Sequence, residues 1–91
     1  KDAGTDLDVT IDPGTFTEWT GELSGNLTIT LGQDSGDFVS EYAVRFTVGT
    51  TIPQITFPSS VKVPRTFIIL PNHIYTCTII DGVLEFGGQS R

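Results

Sequence analysis

The chain reads as an all-β domain, a single antiparallel β-sandwich or jelly-roll-like fold of about eight short strands within residues 1–91. Three observations predict it. Apolar side chains recur at every second residue, Gly, Pro, Asn or Asp closes each apolar run after about four to eight residues, and no segment carries a helical stripe behind a cap.

The elements follow in order. Leu7 to Ile11 is a first strand, on one face of which Asp6, Asp8 and Asp12 gather like charges that keep an edge from pairing with foreign strands. Asp12-Pro13-Gly14 is a turn, because Pro presets φ at its second position and Gly supplies a positive φ at its third. Phe16 to Trp19 is a short strand. In the next, Leu27, Ile29 and Leu31 alternate with Asn26, Thr28 and Thr30. Gln33 to Ser40, rich in Gly, Asp and Ser, is a loop with room for one helical turn at most. Glu41 to Val48 resumes the alternation, with Tyr42, Val44, Phe46 and Val48 inward and Glu41, Ala43, Arg45 and Thr47 outward.

Gln54 to Phe57, Val61 to Val63 and Thr66 to Leu70 are brief strands. Pro53, Pro58, Pro64 and Pro71 confine them to edges or corners, since proline cannot donate to a ladder. His73 to Ile80 carries apolar weight on both faces and reads as a central strand. Asp81-Gly82 is a type I′ hairpin turn leading into Val83 to Phe86. Residues 1–6 and 89–91 are polar and expected to fray. The predicted core is Leu27, Ile29, Leu31, Tyr42, Val44, Phe46, Val48, Ile55, Phe57, Val61, Tyr75, Cys77, Ile79, Leu84 and Phe86.

Composition narrows the function. Five Lys and Arg among eleven Asp and Glu leave a net charge of −6, which argues against nucleic-acid binding through a basic face. No apolar run approaches the ~18 residues of a membrane span, so no membrane partner is expected. One cysteine forms no internal disulfide. Met is absent even at position 1, so the chain is expected to be a processed product or a piece of something longer.

Catalytic and metal chemistry finds little to work with. His73 sits in a Pro-Asn-His turn, and Cys77, four residues on, is ~13 Å away along a strand, too far for a proton-sharing dyad. Asp34, Asp37 and Glu41 bracket an oxygen-rich loop without EF-hand spacing, so a solvated acidic loop is the simpler reading. Asn26-Leu27-Thr28 fits a glycosylation sequon, but its place inside a strand makes coincidence the better reading. The candidate contacts with a ligand or a second subunit are Trp19, Glu18 and Glu22, with Tyr42 a further sugar contact. An aromatic face stacks on a sugar ring and carboxylates accept its hydroxyls, whereas Trp19 in a core or at a subunit contact is the favoured reading. No catalytic residue, metal ligand or cofactor is assigned.

The order of these pieces resembles a small β domain at the C-terminal end of many tail, baseplate and other virion-associated proteins of bacteriophages and prophages. The likeness runs from the Asp12-Pro13-Gly14 turn through Trp19-Thr20-Gly21-Glu22 to Leu27-Thr28-Ile29-Thr30-Leu31. It continues over Glu41 to Gly49, similar to a Glu-Tyr-x-x-x-Phe-x-Ser-Gly strand, and over Ile55 to Lys62, similar to a Leu-Pro-x-x-Val-Lys segment. Asn72 to Gly82 resembles an Asn-Lys-x-Tyr-x-x-x-Ile-x-Asp-Gly hairpin. The likeness spans residues 7–88. It departs at Val63-Pro64-Arg65, which stands where the family has a Trp and a longer polar insertion.

The resemblance implies a non-enzymatic structural or host-attachment module of a phage particle. Its partners would be other virion proteins, copies of itself and host cell-surface polysaccharide, and it brings no catalytic or metal-binding residue with it. The alternative is a carbohydrate-binding module of a secreted or surface protein, hence an extracellular location in place of the virion.

Overall fold

A computed structural model describes residues 2–32 and 41–91. Among the described residues the strands are β1 (Asp2–Gly4), β2 (Asp8–Ile11), β3 (Phe16–Glu22), β4 (Leu27–Leu31), β5 (Glu41–Val48), β6 (Ile55–Thr56), β7 (His73–Ile80) and β8 (Val83–Ser90), with no helix. The protein is all-β.

The strands form a five-stranded sheet, β1-β3-β5-β7-β8, and a three-stranded sheet, β2-β4-β6. Up to residue 56 the chain alternates between them, so three successive passes each lend one strand to either sheet, and β1-β3, β3-β5, β2-β4 and β4-β6 are all parallel. Only β5-β7 and β7-β8 are antiparallel. The expectation of an antiparallel sandwich or jelly roll is thus corrected to one mixed and one parallel sheet.

The physical reason lies in the connections. Alternation of period two fixes which face of a strand is buried and is blind to the direction of its neighbour. The Asp12–Thr15 turn carries the chain from β2 in one sheet to β3 in the other instead of folding it back beside itself. Its Gly14 has φ 76°, and the Thr15 N–H reaches the Asp12 carbonyl at 3.4 Å. Among the described residues the one tight hairpin is the Asp81-Gly82 turn, with φ 52° and 76°, as the type I′ expectation requires.

The core lies between the inner faces. Every residue of the predicted core is buried or half-buried there, joined by Ala3, Ile11 and Trp19. Phe46 sits at its centre, edge-on to Trp19 at 6.5 Å and stacked on Tyr75 at 5.7 Å. From Tyr75 the aromatic contacts run through Phe67 to Phe86 and Phe57.

Two further expectations change. Thr66 to Leu70 keeps its alternation, Phe67 and Ile69 half-buried and Ile68 and Leu70 exposed, but joins no ladder because prolines flank it. Val61 to Val63 contributes a single bridge, Lys62 beside Val83. At the ends, Asp2 and Gly4 register with Glu18 and Trp19, and β8 is paired as far as Ser90 opposite His73. Ala3 explains the first, being an apolar side chain pressed under the sheet among polar neighbours. The expected loop at Gln33 to Ser40, and with it Asp34 and Asp37, lies outside the described residues.

Candidate functional site

The outer face of the five-stranded sheet carries the chemistry. Register places Glu18 of β3 beside Arg45 of β5, Arg45 beside Thr76 of β7 and Thr76 beside Gly87 of β8, a straight row across four strands. The Glu18 carboxylate is 4.0 Å from the Arg45 guanidinium, and both side chains are about half exposed. A pair so open to water and salt contributes little to stability, about 0–1 kcal/mol, which leaves it free to answer a ligand.

Two hollows lie on either side of Arg45. One, of about 470 Å³, is lined by Asp2, Glu18, Trp19, Thr20, Gly21 and Thr47. The other, of about 380 Å³, is lined by Arg45, Ile74, Thr76, Gly87, Gly88 and Gln89. The first exists because β3 bulges: between the Glu18–Arg45 and Glu22–Thr47 pairs it spends two more residues than β5, with Gly21 at φ 66°. Asp2 braces the rim by accepting from the Gly4 N–H at 2.7 Å and from the Thr20 hydroxyl at 3.1 Å.

The three sequence candidates divide. Trp19 is 3% exposed, and its indole N–H donates to the Asp6 carbonyl at 2.7 Å. The residue borders the first hollow, but its ring packs edge-on against Phe46 in the core; alternation along β3 turns it inward while Glu18 and Thr20 turn outward. Glu18 stands on the open row. Glu22 is drawn to the far end of the sheet, where its carboxylate receives the Arg91 guanidinium. Tyr42 is buried, its hydroxyl donating to the Gly32 carbonyl at 2.7 Å.

Arg45, Thr76 and Gly87 escaped the sequence reading as a group. The outward position of Arg45 is legible in the alternation of β5, but its neighbours are set by the pairing of β3, β7 and β8, which no local pattern carries. Gly87 gave a faint signal, since glycine inside a strand marks a bulge or a close approach. Gly88 is accounted for by the Tyr75 ring, 2.9 Å from where a Cβ would lie, whereas a Cβ on Gly87 meets nothing within 4 Å.

The arrangement offers donors, acceptors and hydroxyls on an open floor. His73 is half-buried at the start of β7, its Nδ1 2.8 Å from the Pro71 carbonyl and its ring stacked near Tyr75. Burial pushes the Cys77 thiol up to about 12, which keeps it protonated and a poor nucleophile. Among the described residues no three His, Cys, Asp or Glu side chains come together as a metal site. Asn26 is exposed just before β4, its side-chain carbonyl accepting from the Gln54 N–H at 2.9 Å.

Comparison of the chain with protein-family models, with curated proteins and with solved structures found no match.

Proposed function

We propose that the chain is a non-enzymatic structural or host-attachment module of a phage particle, working in the virion beside other virion proteins and copies of itself. The observation that carries this reading is the order of turn and strand motifs over residues 7–88, from Asp12-Pro13-Gly14 to Asp81-Gly82. The architecture suits the role. Among the described residues the parallel passes leave edge strands, each paired on one side, at both sheets, and such edges are where copies of repetitive β proteins join.

A second reading, a carbohydrate-binding module of a secreted or surface protein, is favoured by the polar Glu18-Arg45-Thr76 row and its two hollows. Carboxylate, guanidinium and hydroxyl groups match the hydroxyls of a polysaccharide. Light scattering on the purified chain, alone and with soluble cell-wall polysaccharide, separates the two. An assembly without glycan supports the virion module. A monomer that binds glycan, and loses it in Arg45→Ala, supports the second reading, and a monomer that binds nothing overturns both.

A further inference from the structure

The last strand of the five-stranded sheet, β8, has one side paired to β7 and the other open along most of its length. Two sets of hydrogen bonds fix which backbone groups face the open side. On the β7 side the Arg91 N–H donates to the Asn72 carbonyl at 3.1 Å, in phase with the hairpin pair Ile80–Val83, so odd-numbered residues bond inward. On the other side the Lys62 N–H donates to the Gly82 carbonyl at 2.7 Å and the Leu84 N–H to the Lys62 carbonyl at 3.0 Å, so even-numbered residues bond outward. Among the described residues Lys62 alone makes backbone hydrogen bonds on that side, and only at the start of the strand. From Glu85 to Arg91 the outward N–H and C=O groups of Phe86, Gly88 and Ser90 have no backbone partner among the described residues.

We propose that this edge pairs with the same edge of a second copy, antiparallel across a two-fold axis at Gly88, joining two five-stranded sheets into one of ten strands. A two-fold contact is self-complementary, and Gly88 is the midpoint of the free stretch, so this register uses all of it and avoids Lys62. Phe86 then faces Ser90 of the partner subunit, Gly88 faces Gly88 of the partner subunit, and about six backbone hydrogen bonds form. Both outward-facing and inward-facing residues meet their own kind, since a shift by an even number of residues preserves the faces. Charge agrees with it: Glu85 comes opposite Arg91 of the partner subunit and no like charges meet, the Arg91 guanidinium of each chain being shared with its own Glu22.

The edge is poorly defended. Natural sheets guard such strands with lysine, proline or a bulge, and residues 85–90 contain none of these. The contact specifies how copies meet in the virion reading but stands on strand geometry alone, so either can fail without the other.

Cysteine crosslinking reads the register directly. Gly87 and Gln89 of the partner subunit face each other as a non-hydrogen-bonded pair with Cα atoms ~4.5 Å apart, within disulfide reach, whereas Gly87 faces its own copy two positions out of line. A Cβ on Gly87 meets nothing within 4 Å, and Gln89 is exposed, so Gly87→Cys and Gln89→Cys fold normally. Cys77 is buried and stays out of the reaction. On mild oxidation at protein concentrations on the order of 100 μM, suited to a small interface, a mixture of the two variants, one mass-tagged, should give a covalent heterodimer while each alone stays monomeric. A disulfide dimer of either variant alone, or none in the mixture, overturns the proposal. Glu85→Arg, which sets two arginine pairs across the axis, should weaken dimerisation roughly tenfold in light scattering, and an unchanged dimer would count against the register. An assembly that forms without the crosslink refutes this interface and leaves the virion reading intact.

Discussion

The Tyr75 hydroxyl holds the backbone of Leu70: it accepts the Leu70 N–H at 2.7 Å and donates to the Ile68 carbonyl at 3.1 Å. One side chain thereby supplies partners that a neighbouring strand would otherwise give. The stretch between Pro64 and Pro71 opens on a turn, the Phe67 N–H donating to the Pro64 carbonyl at 3.0 Å, then alternates yet belongs to no sheet, and Phe67 lies edge-on to Tyr75 at 6.2 Å. Tyr75→Phe keeps the ring and deletes the bonds. It should cost about 1–2 kcal/mol in urea unfolding and should speed hydrogen exchange at the Leu70 amide more than at amides of β5.

The core and the outer face of β5 should respond very differently. Phe46→Ala empties the centre of the aromatic group and should cost about 3–5 kcal/mol, enough to unfold much of so small a domain. Arg45→Ala, one residue away, should stay within about 0.5 kcal/mol. Near-equal losses in denaturant titrations would mean that the faces of β5 are misassigned.

Thr17 is fully buried, and its hydroxyl finds no partner among the described residues. Valine has the same shape without the polar group. Thr17→Val should therefore raise the unfolding free energy by up to about 1 kcal/mol, read as a higher denaturation midpoint, and a loss of stability would point to a hydrogen bond at that hydroxyl.

Adjacent glycines in β8 should give opposite signs. Gly88→Ala drives a Cβ to 2.9 Å from the Tyr75 ring and should destabilise, whereas Gly87→Ala meets open space and should gain about 0.4–1 kcal/mol by restricting the unfolded chain. Calorimetry on the two variants checks the pair.

Cys77 makes stability fall in alkali. The thiol is raised from 9.0 to about 12 in the folded protein by burial, so between those values the unfolded chain binds fewer protons than the folded one. The stabilisation is complete below pH 9 and drains away toward pH 12, at a slope approaching about 1.4 kcal/mol per pH unit. Cys77→Ala is less stable at neutral pH but should lack this component of the slope. Parallel pH profiles for the two proteins would show that the thiol does not titrate as its burial requires.

Much of this was legible along the chain. Tyr42, Val44, Phe46 and Val48 point inward as their alternation demands, as do Tyr75, Cys77 and Ile79. The Asp12-Pro13-Gly14 and Asp81-Gly82 turns form where their residues require positive φ. Trp19 shows the limit: a tryptophan between two glutamates suits either a sugar platform or a core, and it is the phase of alternation along β3, with the Asp6 carbonyl receiving the indole N–H, that turns it inward. The Glu18-Arg45-Thr76 row had no sequence signature, because its members are separated along the chain and are joined by register.

What the sequence by itself determined is therefore local: an all-β chain, the buried face of each long strand, the tight turns, and an acidic composition with a single cysteine. What the tertiary structure alone decided is relational. It set the parallel direction of β1 to β6, the polar row on the outer face, and the free edge of β8. The reason is physical. Side-chain alternation and turn chemistry act between residues a few positions apart, whereas strand direction and register are chosen by which distant apolar faces can be buried together, and that choice is made only when the whole core closes.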